Sequence, residues 1–268
     1  MSKDSQSPIK DPPLRLAGQS LQEERDALLD GPVLYTGIFA MLAIVLAVAE
    51  WMRYFNQSPP NPWFYTIVAG ITVLGAAWII GRRIPRIRAL RQGILGERAG
   101  GQFLERLREQ GYHVFHDIVG SNFNIDHVLI GPAGIFPIET KTWSKPVKGD
   151  VRVVCTGDPL RIGTLEPDRQ PIVQAKAQSS WLRQILTEST GREFAVRPVV
   201  LFPGWYVEQD TESRRHAWVL EPKALPAFLE KARQTLSAEE IGLASYHLSR
   251  FVRSVERERF RPAWATPE

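Results

Sequence analysis

Residues 126–141 read Asp-His-Val-Leu-Ile-Gly-Pro-Ala-Gly-Ile-Phe-Pro-Ile-Glu-Thr-Lys. Two apolar runs flank a Gly-Pro-Ala-Gly turn at 131–134, which is the pattern of two short strands joined by a tight connection. Asp126 opens the first run, and Glu139 and Lys141 close the second. Side chains alternate along a strand, so Glu139 and Lys141 project from one face. Two readings compete here. One is a plain hairpin with charged ends. The other is a site where two acids and a lysine converge to hold a divalent cation and steer a water at a phosphate.

Outward from this stretch, the chain reads as an α/β domain. Gly96 to Gln110 carries Phe103, Leu104 and Leu107 at helical spacing, with Gly111 as the stop. Tyr112–Val119, Asn122–Ile130 and Ile135–Lys141 follow as three strands. Val147–Thr156 alternates as a fourth, and Gly157-Asp158-Pro159 turns it into a short hairpin ending near Leu165. A helix begins at Pro171 and runs to about Glu188, with Ile172, Ala175, Trp181, Ile185 and Leu186 on its apolar side. Val196–Phe202 is a compact strand, Ala217–Leu220 a shorter one, and helices over 222–233 and 237–258 close the chain. This order implies a mixed sheet flanked by helices.

Upstream the character changes. Residues 1–30 are polar and hold four basic and six acidic side chains, too long and too acidic for a secretory signal. Gly31 to Ala49 and Pro62 to Gly81 contain no charged residue, and each run approaches the ~20 residues a helix needs to cross a bilayer. Trp51, Tyr54, Trp63, Phe64 and Tyr65 cluster where the runs face each other, as an interfacial aromatic belt does. The alternative is a buried helical hairpin of a soluble protein. The expected division is a tail over 1–30, spans over 31–54 and 62–81, a loop over 55–61 and an arginine-rich linker over 82–95. The globular domain then covers 96–205, and 206–268 packs on it.

Arg82, Arg83, Arg86, Arg88 and Arg91 follow the second span, whereas the loop has only Arg53 at its edge. Positive charge stays on the cytoplasmic side. The reading is therefore a multi-pass protein of the inner (cytoplasmic) membrane, with both termini and the domain in the cytoplasm. The arginines can also contact lipid headgroups or, as a sharper alternative, nucleic acid phosphates. Residues 92–268 hold 23 basic and 22 acidic groups, so the isoelectric point near 9.3 is no sign of a basic domain surface. Lys145, Lys148 and Arg152 offer a local one. The single cysteine, Cys155, excludes an intramolecular disulfide and a thiolate zinc site, and is most simply an apolar filler. No nucleophile elbow or phosphate loop occurs, which argues against a serine hydrolase or a nucleotide-driven motor. His113 and His116, three apart on one strand, point to opposite faces and do not readily share a metal. His127 needs no role.

Four blocks carry a family likeness: Gly96-Glu97 at a helix start, Asn124-Ile125-Asp126-His127-Val128, Gly134-Ile135-Phe136-Pro137-Ile138-Glu139-Thr140-Lys141, and Pro171-Ile172-Val173-Gln174. In this order and spacing, over residues 93–205, they resemble the nuclease-related domain (NERD). That family is grouped with the PD-(D/E)xK nucleases and is similar to type IV restriction endonucleases. The resemblance implies a restriction-endonuclease-like αβββαβ core and a Mg²⁺- or Mn²⁺-dependent endonuclease acting on nucleic acid, DNA above all. Asp126 and Glu139 would be metal ligands and Glu97 an added carboxylate. Lys141 would orient or help deprotonate the attacking water, and Gln174 would position substrate or a metal-bound water. A binding or interaction module that kept this fold without turnover is the rival expectation. The lipid bilayer is the other expected partner.

Overall fold

In the computed structural model, residues 14–57, 62–120, 123–143, 152–156, 160–162 and 171–259 are described. The chain divides into two compact units. One is residues 20–94; the other joins the segment up to Gln19 to Leu95–Glu268.

Three helices account for the first unit: α1 (Gln19–Leu28), α2 (Leu34–Phe55) and the first part of α3 (Pro62–Glu105), with a wider π-type turn around Pro32 between α1 and α2. Both α2 and the start of α3 are long and apolar enough to cross a membrane, and almost none of either apolar stretch is buried. Leu34, Phe39, Leu42, Val45, Ile71 and Leu74 are all exposed. Within the unit, the Trp51 indole N–H donates to the Thr66 hydroxyl at 3.0 Å, and Trp51 meets Trp63 edge-on.

The arginine-rich stretch and the domain's first helix prove to be one element. The helix α3 runs for 44 residues, with Pro85 inside it. Gly96 does not start a helix, because the run Arg88–Gln92 consists of strong helix formers and carries the helix through it. The helix tightens over Arg106–Gln110 and stops at Gly111, whose φ of +82° is the left-handed conformation that glycine tolerates.

In the second unit, β1 (His113–Val119), β2 (Asn124–Gly131) and β3 (Gly134–Thr140) form an antiparallel meander. Next come β4 (Arg152–Cys155), β5 (Arg161–Ile162), α4 (Pro171–Thr190), β6 (Val199–Leu201), β7 (Tyr206–Gln209), α5 (Thr211–His216) and β8 (Trp218–Leu220). Two helices end the order, α6 (Leu225–Lys231) and α7 (Ala238–Arg259). The main sheet runs β1-β2-β3-β6-β8, with β6 parallel to β3 and β8 parallel to β6. This is the mixed sheet with flanking helices, an α/β architecture with the αβββαβ order, that the sequence announces.

The expected fourth strand departs from that plan. It does not join the main sheet: β4 pairs with β5 and β7 in a separate three-stranded sheet. Of the expected 147–156, residues 152–156 are described and four of them form β4, while 147–151, 157–159 and 163–165 lie outside the described residues. Strand β7 and helix α5 were not anticipated, since four partly exposed residues and a six-residue helix give little periodicity to read.

Every residue of β3 is buried, in keeping with the apolar run Ile135–Ile138 that leads to Glu139. One face of the sheet packs Phe136, Ile138, Val199 and Leu201 against Leu104, Leu107, Leu225 and Leu229. The other packs Val128, Ile130, Ile135 and Val196 against Leu182 and Leu186 of α4 and Leu248 and Val252 of α7. A third cluster gathers Cys155, Val153, Ile172 and Phe202 beneath the small sheet, and Cys155 is the buried filler expected of it. Trp181 stacks edge-on between Phe123 and Phe251, tying α4 to α7 and to the entry of β2.

Candidate active site

The register of the meander builds the site. The last β2–β3 pair on the open side is His127 with Ile138, so the next step sets Asp126 opposite Glu139. Directly opposed residues on neighbouring strands bring their Cβ atoms within about 4.5–5.5 Å. The ladder ends there, and the Thr140 backbone N–H donates to Asp126 Oδ2 at 2.7 Å instead of continuing it. Lys141 is fixed by its own backbone, whose N–H donates to the Leu201 carbonyl at 2.8 Å. Its ammonium then donates to Glu139 Oε1 at 2.5 Å and to Gln174 Oε1, in the first turn of α4, at 3.1 Å. Asp126, Glu139, Lys141 and Gln174 are thus brought together by two strand ends and one helix start.

Glu97 approaches from α3 and not from a helix N-terminus. It lies deep in the helix, two turns before Glu105, and is 7% exposed. The approach of α3 requires a glycine: a Cβ on Gly96 would fall 1.6 Å from Thr142 Oγ1. Burial, with the charges of Asp117 and Glu139, pushes the Glu97 carboxyl up to about 8, against the opposing pull of the Gly18 N–H and Lys141. Burial first, then Glu139 and Glu97, raises the Asp126 carboxyl well above its ordinary range, with the Thr140 N–H and Lys141 opposing. Three carboxylates and one ammonium in a largely buried space repel one another more than they are compensated.

One participant was missed in the sequence. Gln178, 1% exposed, donates through Nε2 to Glu139 Oε2 at 2.6 Å and to the Asn124 carbonyl at 2.9 Å. Its signal was its spacing, four residues beyond Gln174 and hence on the same side of α4. Its Oε1 has no partner among the described residues. Glu139, buried at 3% exposure, is accordingly not in an apolar core but gripped on both oxygens by Lys141 and Gln178.

The histidines were also read incompletely. His113 and His116 do not meet, but His116 stands opposite His127 across β1 and β2, with their Nδ1 atoms 2.9 Å apart. His116 Nε2 lies 2.8 Å from Glu105 Oε1. Burial lowers the pKa of both rings, His127 the more strongly. Neutral rings fit the geometry: His116 donates to the Glu105 carboxylate and accepts from His127. Of the local basic residues proposed from sequence, Arg152 is exposed and paired with Glu208 at 3.1 Å. Lys145 and Lys148 lie outside the described residues.

The donor set suits a hard cation. Carboxylate oxygens are the ligands Mg²⁺ and Mn²⁺ prefer, and a cation would offset the mutual repulsion that raises Asp126 and Glu97. No group of three or more His, Cys, Asp or Glu side chains is positioned to hold a metal ion among the described residues. The cage therefore needs rearrangement, because Glu139 is engaged by Lys141 and Gln178 and Asp126 by Thr140.

Residues 92–203 match the family model of the nuclease-related domain, NERD, a restriction-endonuclease-like fold, in agreement with the four sequence blocks and with the αβββαβ order. No curated protein and no solved structure matches the chain.

Proposed function

We propose that this chain is a membrane-tethered, metal-dependent nuclease that hydrolyses phosphodiester bonds of nucleic acid, DNA above all. The observation that carries the reading is Lys141, whose ammonium is anchored on Glu139 and Gln174 at the end of β3, beside Asp126. Its side chain is one-fifth exposed, so it can face a phosphate while Glu139 remains buried.

Asp126 and Glu139 would hold the ion, with Glu97 as a third donor once it loses the proton that burial favours. Bound there, Mg²⁺ or Mn²⁺ would supply Lewis-acid polarisation of a phosphoryl oxygen. Lys141 offsets negative charge building on the phosphate and directs a water along its attack line. Gln174 keeps the ammonium in place from one side. Gln178 and the Thr140 N–H hold Glu139 and Asp126 in place until an ion takes over part of their coordination.

The tether is α2 with the first part of α3, in the inner membrane, with both ends on the cytoplasmic side. Its support is the pair of uncharged runs, their exposed apolar side chains and the five arginines after the second. A second reading has one observation in its favour. Both Glu139 oxygens already have partners, which suits an anchored module that binds nucleic acid without cutting it.

The test is cleavage of plasmid and oligonucleotides by the purified full chain. Cutting is expected with Mg²⁺ or Mn²⁺ and absent with chelator. It should fall at least ~100-fold in Glu139→Ala and in Lys141→Ala, the range typical for removing a charge-stabilising group. Cleavage that survives chelation or either substitution contradicts the mechanism. DNA that is bound and left intact favours the second reading.

A further inference from the structure

A second cleft, with a volume of about 530 Å³, opens at the other end of β3. Its floor is the start of that strand, Gly134 to Phe136, with Val196 beside it, whereas the carboxylates cluster at the strand's finish. Lys176 and Arg183 of α4, Arg197 before β6 and Arg215 at the end of α5 give it four cationic side chains, and no Asp or Glu lines it among the described residues. Positions 176, 179, 180 and 183 repeat at helical spacing on the flank of α4 away from Gln174 and Gln178.

Two of these charges are aimed without being neutralised. The Arg183 guanidinium donates to the Val196 carbonyl at 3.4 Å. Arg197 donates to the Arg214 carbonyl at 3.4 Å and lies over the Trp218 ring at 5.0 Å. Neither has a carboxylate partner among the described residues. Arg215 is shared with Glu212 at 3.2 Å and contributes less.

The independent observation is Ser179. It lines the cleft, is 4% exposed, and its hydroxyl has no hydrogen-bond partner among the described residues. A buried hydroxyl left unpaired is unfavourable, and an anionic oxygen in the cleft would accept its proton in a hydrogen bond. Gly134 keeps the floor low: its φ is +129°, and a Cβ there would press within 3.2 Å of Thr235 Oγ1. The volume lies within the few-hundred-Å³ range of small-molecule sites.

We propose that this cleft binds a phosphate ester, held by Arg183, Arg197 and the Ser179 hydroxyl, as an anion site separate from the carboxylate cluster. A planar guanidinium suits a phosphate because it offers two parallel donors to two oxygens. The ester belongs either to a free nucleotide or to the backbone of a nucleic acid. The proposal stands whether or not the carboxylate cluster cleaves anything.

The test is equilibrium binding by the purified full chain of three probes: inorganic phosphate, a mononucleotide and a short single-stranded oligonucleotide. At least one should bind, more weakly as salt rises. Affinity should fall roughly tenfold or more in Arg183→Gln and in Arg197→Gln, the loss expected for a charged hydrogen bond. It should fall less in Ser179→Ala. Binding of phosphate and mononucleotide identifies a free anion as the ligand; binding of the oligonucleotide alone identifies the nucleic acid backbone. No binding of any probe, or equal binding by wild type and both arginine variants, overturns the proposal. Melting curves of each variant separate lost binding from lost folding.

Discussion

Glu97 sits where ionisation is costly, between Asp117 and Glu139 and away from water. Its carboxyl titrates near 8 in the folded chain, against 4.5 as its ordinary value. The folded state then binds the extra proton between these values, so ionising Glu97 removes stability as pH rises through that window. At about 1.4 kcal/mol per unit, the loss is a few kcal/mol. Glu97→Gln should therefore flatten the fall in stability from about pH 5 to 8 seen by denaturant unfolding, and an unchanged slope would show that Glu97 is not its source. Mg²⁺ should reduce the same slope in wild type. Strand alternation and the hairpin made Asp126, Glu139 and Lys141 legible in the sequence. Gln178 was legible in principle, four residues from Gln174. Arg15 was not, because its partners Asp117 and Glu256 lie 102 and 241 residues away.

That ion group shows how an element is fixed. Arg15 donates to Asp117 of β1 at 2.8 Å and to Glu256 of α7 at 2.6 Å, and all three side chains are nearly inaccessible. The segment before α1 is thereby pinned to the edge of the sheet. Removing the arginine takes from two buried carboxylates the cation they share, and Arg15→Ala should cost about 3–5 kcal/mol. Adding Asp117→Asn and Glu256→Gln should restore part of that loss; a loss that stays the same would mean the cost is packing and not charge. Element boundaries were harder to read than element existence. The helix expected from Gly96 is real, but it begins at Pro62 and runs on through Pro85. The strand expected over 147–156 exists as β4, yet it serves another sheet. Local alternation says that a strand forms and cannot say which neighbour it pairs with.

At the scale of the whole molecule, the sequence separates two chemistries. Residues 31–81 are mostly apolar with Glu50 and Arg53 as their only charged residues, and residues 92–268 are nearly balanced in charge. The five arginines between them explain the basic isoelectric point without assigning it to the site. If α2 and the start of α3 form a membrane hairpin, a reporter fused after Gln57 should give a non-cytoplasmic signal and one fused after Glu268 a cytoplasmic signal. A cytoplasmic signal at both positions would contradict the hairpin. The central claim is narrower: the facing ends of β2 and β3 form one cation site. Its most direct measurement is Mn²⁺ binding to the purified full chain at neutral pH, followed by the loss of the free-ion paramagnetic resonance signal. The account predicts a saturable site in wild type that is lost in Asp126→Asn and in Glu139→Gln, and kept in Arg183→Gln. Equal Mn²⁺ binding by wild type and both carboxylate variants would contradict it.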